Sequence, residues 1–261
     1  MTSQSLVRMR TSGSLMRMGA LVRYNAILRL RDPSQFISYL VTPMIFMVLF
    51  QPLYAKALRS SPAQAVTGQL VMFSVFAMAI VGNAIFVERE WRTWDRLRAS
   101  RAGRAELLVG KAIPVFGVLL LQQAVLICFG IVVMGMRLPL RSLPLLVLGM
   151  SMWAIMLLAL GAVLATIVRS RGDLIVASDV GAITISSIGG TILPVSLMPG
   201  WAQWLAPVSP GYWGLGMLRS AIADDPAGMW RPLLVCLAIA VGTGAFATYR
   251  LAHGWGRSHL V

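Results

Sequence analysis

Glu88-Arg-Glu-Trp-Arg-Thr-Trp-Asp-Arg-Leu-Arg-Ala-Ser-Arg-Ala-Gly-Arg-Ala-Glu-Leu-Leu-Val-Gly-Lys111 stands between two long apolar stretches, and its reading decides the fold. These 24 residues hold seven Lys or Arg. The stretches on either side, Val66–Val87 and Ala112–Gly135, hold no charge. A membrane-crossing helix needs about 20 mostly apolar residues. Two such stretches joined by a basic loop predict two crossings and an orientation, because basic loops stay on the cytoplasmic side.

Composition agrees. Of 261 residues, 57% are hydrophobic and 12% are charged, and the mean hydropathy is +0.76. A soluble domain carries roughly a quarter charged residues. The 24 Gly and 13 Pro fit spanning helices, which tolerate both better than soluble helices do. The net charge of +14 is spread over several short loops. That distribution fits topology better than nucleic-acid binding. Cys128 and Cys236 fall in apolar runs and read as small packing residues, not as a disulfide.

Six stretches qualify as spans: Phe36–Tyr54, Val66–Val87, Ala112–Gly135, Leu143–Val168, Leu174–Leu193 and Pro232–Leu251. The first contains Pro43 and Pro52. The fifth is rich in Gly, Ser and Thr and carries Asp179, which suits packing against other helices. Six spans put both termini on one side. With the termini in the cytoplasm, 17 of the 23 Lys and Arg lie inside. That bias predicts the orientation, with the plasma membrane as the location.

The first 57 residues also have the outline of a secretory signal, with Ala55-Lys-Ala57 as the cleavage site. The basic segment before the apolar run is too long for that, so a retained first span is expected. The arm from Ser14 to Arg31 has scattered Arg residues and no clean apolar stripe. Two readings stay open for it: a basic segment drawn to anionic lipid, or an interfacial helix along the inner leaflet. Between Pro194 and Arg231 the chain is too apolar for a free loop and too broken by Pro and Gly to span. Trp201, Trp204, Tyr212 and Trp213 suit the headgroup layer. A helix-turn-helix dipping into the outer leaflet is expected there.

Catalytic and cofactor motifs fit poorly. Gly110-Lys111 suggests a phosphate loop, but Ala105 stands where the pattern needs Gly, and Ala112 where it needs Ser or Thr. His253 and His259 have no Cys or carboxylate at metal-ligand spacing. Glu88 and Glu90 sit among arginines and read as ion-pair partners, for example Glu88 with Arg92. No catalytic, cofactor or metal residue is therefore assigned. Asp179 is the one acid inside a span, a costly placement that often marks function. The plainer reading places it within about 9 Å of the inner interface, hydrated or paired with Arg169 or Arg171.

On a helix from Trp91 to about Ala102, Trp94, Leu97 and Arg101 recur at helical spacing, with Arg92, Arg96 and Arg98 around them. A Trp/Leu knob ringed by Arg has the composition of a protein interface. The island is expected to lie parallel to the membrane and dock another protein.

The order Glu88-Arg-Glu-Trp-x-Thr-x-x-Arg-Leu-x-Ala-Ser, followed by Arg104-Ala-Glu-Leu-Leu-Val-Gly-Lys111, resembles the first cytoplasmic loop of ABC type-2 transporter permeases. The daunorubicin and multidrug exporter-like branch is the nearest. Pro199-x-Trp-x-x-Trp-Leu-Ala-Pro-x-x-Pro and the later Arg219 are similar to that family's re-entrant helices. Ser100-Arg101-Ala102 departs from it, since many relatives have a Pro there. The resemblance implies an all-α integral membrane fold. It would have six transmembrane helices, an amino-terminal interfacial helix, a cytoplasmic coupling helix between spans 2 and 3, and an extracytoplasmic re-entrant hairpin before span 6. Residues 1–35 would form the basic arm and 36–261 a single transmembrane domain, with the coupling loop at 88–111 and the re-entrant region at 194–231.

The same resemblance implies a permease subunit of an ATP-driven exporter for an amphiphilic drug, lipid or glycolipid. A separate ATPase dimer, carrying the ATP and Mg, would dock on Glu88, Glu90, Trp91, Trp94, Arg96, Leu97, Arg98 and Arg101. A second permease subunit, identical or related, would complete the pathway. Pro199, Trp201, Trp204, Pro207, Pro210 and Arg219 would form an outer gate. The alternative is a stand-alone secondary transporter or channel with Asp179 as its ion or proton site.

Overall fold

A computed structural model describes Gly19, Val22, Arg23 and residues 34–57, 61–76, 78–80, 82, 83 and 104–252. Every regular element among the described residues is helical. Helix α1 spans Ser34–Pro52 and closes in a π-turn at Leu53–Ala57. Then come α2 (Pro62–Phe76), α3 (Arg104–Val132), α4 (Leu143–Ile167) and α5 (Arg171–Ile188). Short α6 (Gly200–Leu205) and α7 (Pro210–Ile222) precede the long α8 (Pro226–Ala252).

Five of these segments are long and apolar enough to cross a membrane: Ile37–Ala55, Pro62–Ile80, Ala112–Val132, Leu140–Ile167 and Pro226–Arg250. They correspond to the first, second, third, fourth and sixth expected stretches. The fifth stretch is helical as α5 but carries Arg171, Asp173 and Asp179, and it is not one of the five. α1 runs through Pro43 without a break, as spanning helices can when neighbours compensate the lost hydrogen bond.

At α2 and α8 the helix starts a turn or more before the apolar stretch, because a cap sets it. Gln64 N–H donates to Ser61 Oγ at 3.3 Å, with Pro62 as the first residue of α2. Gly228 N–H donates to Asp225 Oδ1 at 3.0 Å ahead of α8, which opens on Pro226. A capping side chain followed by Pro satisfies one free N–H and omits another. At α5 the cap is a full box: Asp173 N–H donates to Ser170 Oγ, and Ser170 N–H to Asp173 Oδ2, both at 3.0 Å.

The helices gather around α2. Within the spans, 71% of α2 is buried inside the fold, against 17% of α1 and 22% of α8. Close approach is bought with small residues. A side chain at Gly130 of α3 would meet Val66, and one at Gly82 would meet Leu174 of α5. α8 packs along α4 in parallel sense. Arg141 Nε pairs with Asp224 Oδ2 at 2.7 Å at one end, and Arg250 donates to Thr166 O at 3.0 Å at the other. Along the outward face of α8, Trp230 beside Arg231 and Tyr249 beside Arg250 are exposed. Their separation is about 28 Å at 1.5 Å per residue, close to the ~30 Å hydrocarbon layer that such aromatic girdles border.

At the centre sits Trp153 of α4, fully buried. Its indole N–H donates to Ser74 Oγ of α2 at 2.6 Å, and that hydroxyl donates onward to Leu70 O at 2.7 Å. The ring packs against Gly214 of α7, where an added Cβ would overlap Trp153 ring carbons. Cys236 is buried in the core as expected, but Cys128 is exposed on α3 and does not pack inside. The apolar run that suggested burial is a lipid-facing stripe at that position.

Gly214→Ala is expected to destabilise the protein by about 1–3 kcal/mol, as overpacking does. Gly216→Ala is the control, because its nearest neighbour, Pro232 Cγ, is at an ordinary 3.6 Å. Thermal unfolding in detergent should show a lower midpoint for the first and none for the second.

Candidate functional site

The outer segment, α6 and α7, holds most of the described site residues. Its position is set by how α5 ends. Gly190 has φ +83°, Thr191 N–H donates to Ser186 O, and Gly190 N–H donates to Ser187 O. This pair of bonds is a Schellman stop, which needs a residue in the left-handed region. The chain then returns, and Ser209 brings α7 onto the same helix end. Ser209 Oγ donates to Ile185 O at 2.6 Å while accepting from Gly211 N–H at 3.1 Å. A Cβ at either Gly189 or Gly211 would collide with backbone of the other segment. The carboxyl end of α5 and the amino end of α7 therefore touch backbone to backbone.

The far end of α7 is a second stop. Asp225 N–H donates to Ser220 O and Asp224 N–H to Ala221 O, with Asp224 at φ 57°. Asp tolerates that conformation better than most residues. Its carboxylate holds Arg141 while Asp225 caps α8. So α7 runs from the Arg141–Asp224 pair down past Gly214, which contacts Trp153 near the middle of α4.

Most of the expected gate residues lie on this unit. Pro199 precedes α6, Pro207 lies in the turn after it, and Pro210 opens α7. Trp201 and Trp204 are 68% and 81% exposed. Trp213 is anchored instead: its N–H donates to Pro207 O at 2.7 Å, its ring meets Tyr212 edge-on, and the Arg231 guanidinium lies 5.6 Å from the ring centroid. Arg219 is in the last turn of α7, with its Nε buried and unpaired.

Asp179 is exposed on α5 and pairs with neither Arg169 nor Arg171 among the described residues. Glu88, Glu90, Trp91, Trp94, Arg96, Leu97, Arg98 and Arg101 lie outside the described residues, as do most of the basic arm and both histidines. Arg104–Lys111 is helical and continuous with α3.

Sequence reasoning missed Trp153 and the Ser209 junction. Ser-Pro-Gly and Gly-Gly-Thr did carry a signal, namely a helix start and a helix stop. Nothing in one dimension says that the two meet.

The model of the ABC-2 type transporter family matches residues 16–223. Over 184 residues the chain is 24% identical to a protein of Escherichia coli strain K12 described as "Probable multidrug ABC transporter permease YbhR", covering 68% of this chain and 49% of that one. The same holds for the protein of that description in Escherichia coli O157:H7. The chain spans about half the length of the curated relatives it matches. The family match takes in four of the five spanning segments, the charged island and the outer α6–α7 unit, so the chain is a multi-pass membrane protein that belongs to the ABC-2 type transporter family.

Proposed function

We propose that this chain is the membrane-spanning permease subunit of an ATP-driven exporter of an amphiphilic drug, lipid or glycolipid. The observation that carries the reading is a family match that runs through both the cationic island and the outer segment. Those are the two parts an exporter needs besides its spans: a docking loop for an energy source and a gate at the far side. ATP and Mg are bound by a separate ATPase dimer, which seats on Glu88–Lys111. A second permease subunit, identical or related, completes the complex.

In this reading α5 also crosses, as the fifth of six spans, shielded by packing on α2 instead of by apolarity. Both termini face the cytoplasm of a plasma-membrane protein. Arg169, Arg171 and Arg250 then share the inner side, in keeping with the contact between Arg250 and Thr166. The α6–α7 unit is a re-entrant hairpin. Support comes from α7 reaching between the outer Arg141–Asp224 pair and the depth of Trp153. The exposed Trp201 and Trp204 suit anchoring in the outer headgroup layer.

Purification of the tagged chain from its host in mild detergent should bring down an ATP-binding subunit and ATPase activity. Arg96→Glu combined with Arg98→Glu should lose that subunit and export together while the permease still inserts. Normal export by the double variant would remove the docking role. Trp201→Ala with Trp204→Ala should lower export and leave ATPase association unchanged, measured by the same co-purification. Loss of the ATPase in that variant would count against a gate.

A further inference from the structure

The carboxyl end of α4, the turn into α5 and the carboxyl end of α8 form one corner of the bundle. A Cβ on Gly244 of α8 would stand 3.9 Å from Ala159 Cβ of α4. Six residues on, Arg250 Nη2 donates to Thr166 O at 3.0 Å. The Arg250 side chain is therefore folded onto the end of α4. Three residues lead from Thr166 to Arg169, which keeps their Cα atoms within about 11 Å of each other. Arg171 then opens α5. Two arginines of the turn and the guanidinium from α8 thus gather at one helix end, and all three residues are exposed. Asp173, the acid of the same turn, is engaged: its carboxylate accepts from Ser170 N–H at 3.0 Å in the cap of α5.

Topology asks only that arginines lie on this side. It does not ask that one of them fold across a neighbouring helix end. The Thr166 carbonyl takes one N–H of a guanidinium that carries five, in a fork suited to phosphate. Apolar surface adjoins the charge. Phe246 is one turn before Arg250 on the same face of α8, and Ile175 one turn after Arg171 on the same face of α5. Both are exposed, at 45% and 51%. Each lies about 6 Å further into its span than its arginine, at 1.5 Å per residue. Ile167, beside Thr166, is exposed as well. Charge at the helix ends with apolar side chains one turn deeper matches a molecule with a phosphate head and acyl chains. A free phosphate would leave the apolar part unused.

We propose that this corner is a binding site for an anionic phospholipid, with Arg169, Arg171 and Arg250 on its phosphate and its chains along Phe246 and Ile175. Bound there, the lipid ties the amino end of α5 to the α4–α8 pair. Naming the inner leaflet as its source rests on the orientation in the exporter reading; the binding itself does not.

Lipid binding to the full-length protein in mild detergent tests the proposal without nucleotide or ATPase. The probes are dioleoyl phosphatidylglycerol and dioleoyl phosphatidylcholine, which share their chains and differ in net charge, with bound lipid counted by native mass spectrometry. The wild type should bind the glycerol lipid more tightly. Arg250→Ala and the pair Arg169→Ala with Arg171→Ala should each weaken that binding, by about fivefold per arginine, and Arg250→Lys should retain most of it. Arg137→Ala removes an exposed arginine before the other end of α4 and should leave the tightest binding event unchanged. These positions are exposed, so the variants are expected to fold, which size-exclusion chromatography checks. Equal affinity for the two lipids would overturn the proposal, as would an equal loss in Arg137→Ala. Full displacement by inorganic phosphate would overturn it too, since the apolar surface would then play no part. Lipid binding left intact in the Arg169→Ala, Arg171→Ala protein while its ATPase subunit is lost would assign the turn to a protein contact instead. Absence of any co-purifying ATPase from the wild type would sink the exporter reading and leave the lipid result standing.

Discussion

The indole of Trp153 is the point on which the bundle depends. Its N–H reaches Ser74 of α2 and its ring packs on Gly214 of α7. In a hydrocarbon environment an indole N–H without an acceptor would be expensive. Ser74 is free to accept because its own proton goes to the Leu70 carbonyl. One side chain therefore sets the spacing of α4 from α2 and the depth at which α7 stops descending. The apolar effect does not choose among helix partners inside a membrane. Specific hydrogen bonds and close steric fits of this kind do.

The second constraint is the junction of α5 with α7. Glycines at 189 and 211 let two backbones touch, and Ser209 caps one helix while donating to the last turn of the other. Two helix ends face each other within the bundle. Their terminal N–H and C=O groups would otherwise be stranded. The Schellman stop at Gly190 and the Ser209 cap satisfy them locally. This is what permits a broken segment to sit at depth, where lipid-exposed irregular backbone is not tolerated.

The interface between α2 and α5 has a different character. Ser178 and Ser186 face inward from α5 with buried hydroxyls that find no partner, as does the side-chain oxygen of Asn83. The other contacts are made by small residues, such as Ala182, and by Gly68 against the backbone of Thr191. Unmet polar groups of this kind cost roughly 1–3 kcal/mol each. An interface that carries them is cheap to part, whereas the Trp153 seat is not. The bundle thus combines a firm α2–α4–α7 core with a looser α5, and α5 is the helix that carries Asp179.

The amino-acid sequence by itself determined the membrane class, the positions of the apolar stretches and the basic island between them, because hydropathy and charge are properties of composition along the chain. It also marked the outer segment as neither loop nor span through its Pro, Gly and Trp. Helix starts at Pro62, Pro210 and Pro226 were legible as capping residues followed by proline, a signal that apolar windows override. Tertiary structure alone decided that Trp153 meets Ser74 and Gly214, that the stop at Gly190 meets the start at Ser209, and that Asp179 pairs with neither Arg169 nor Arg171 among the described residues. The partners that do meet are separated by many residues. Helical periodicity says which face a residue is on, but only packing says what that face touches.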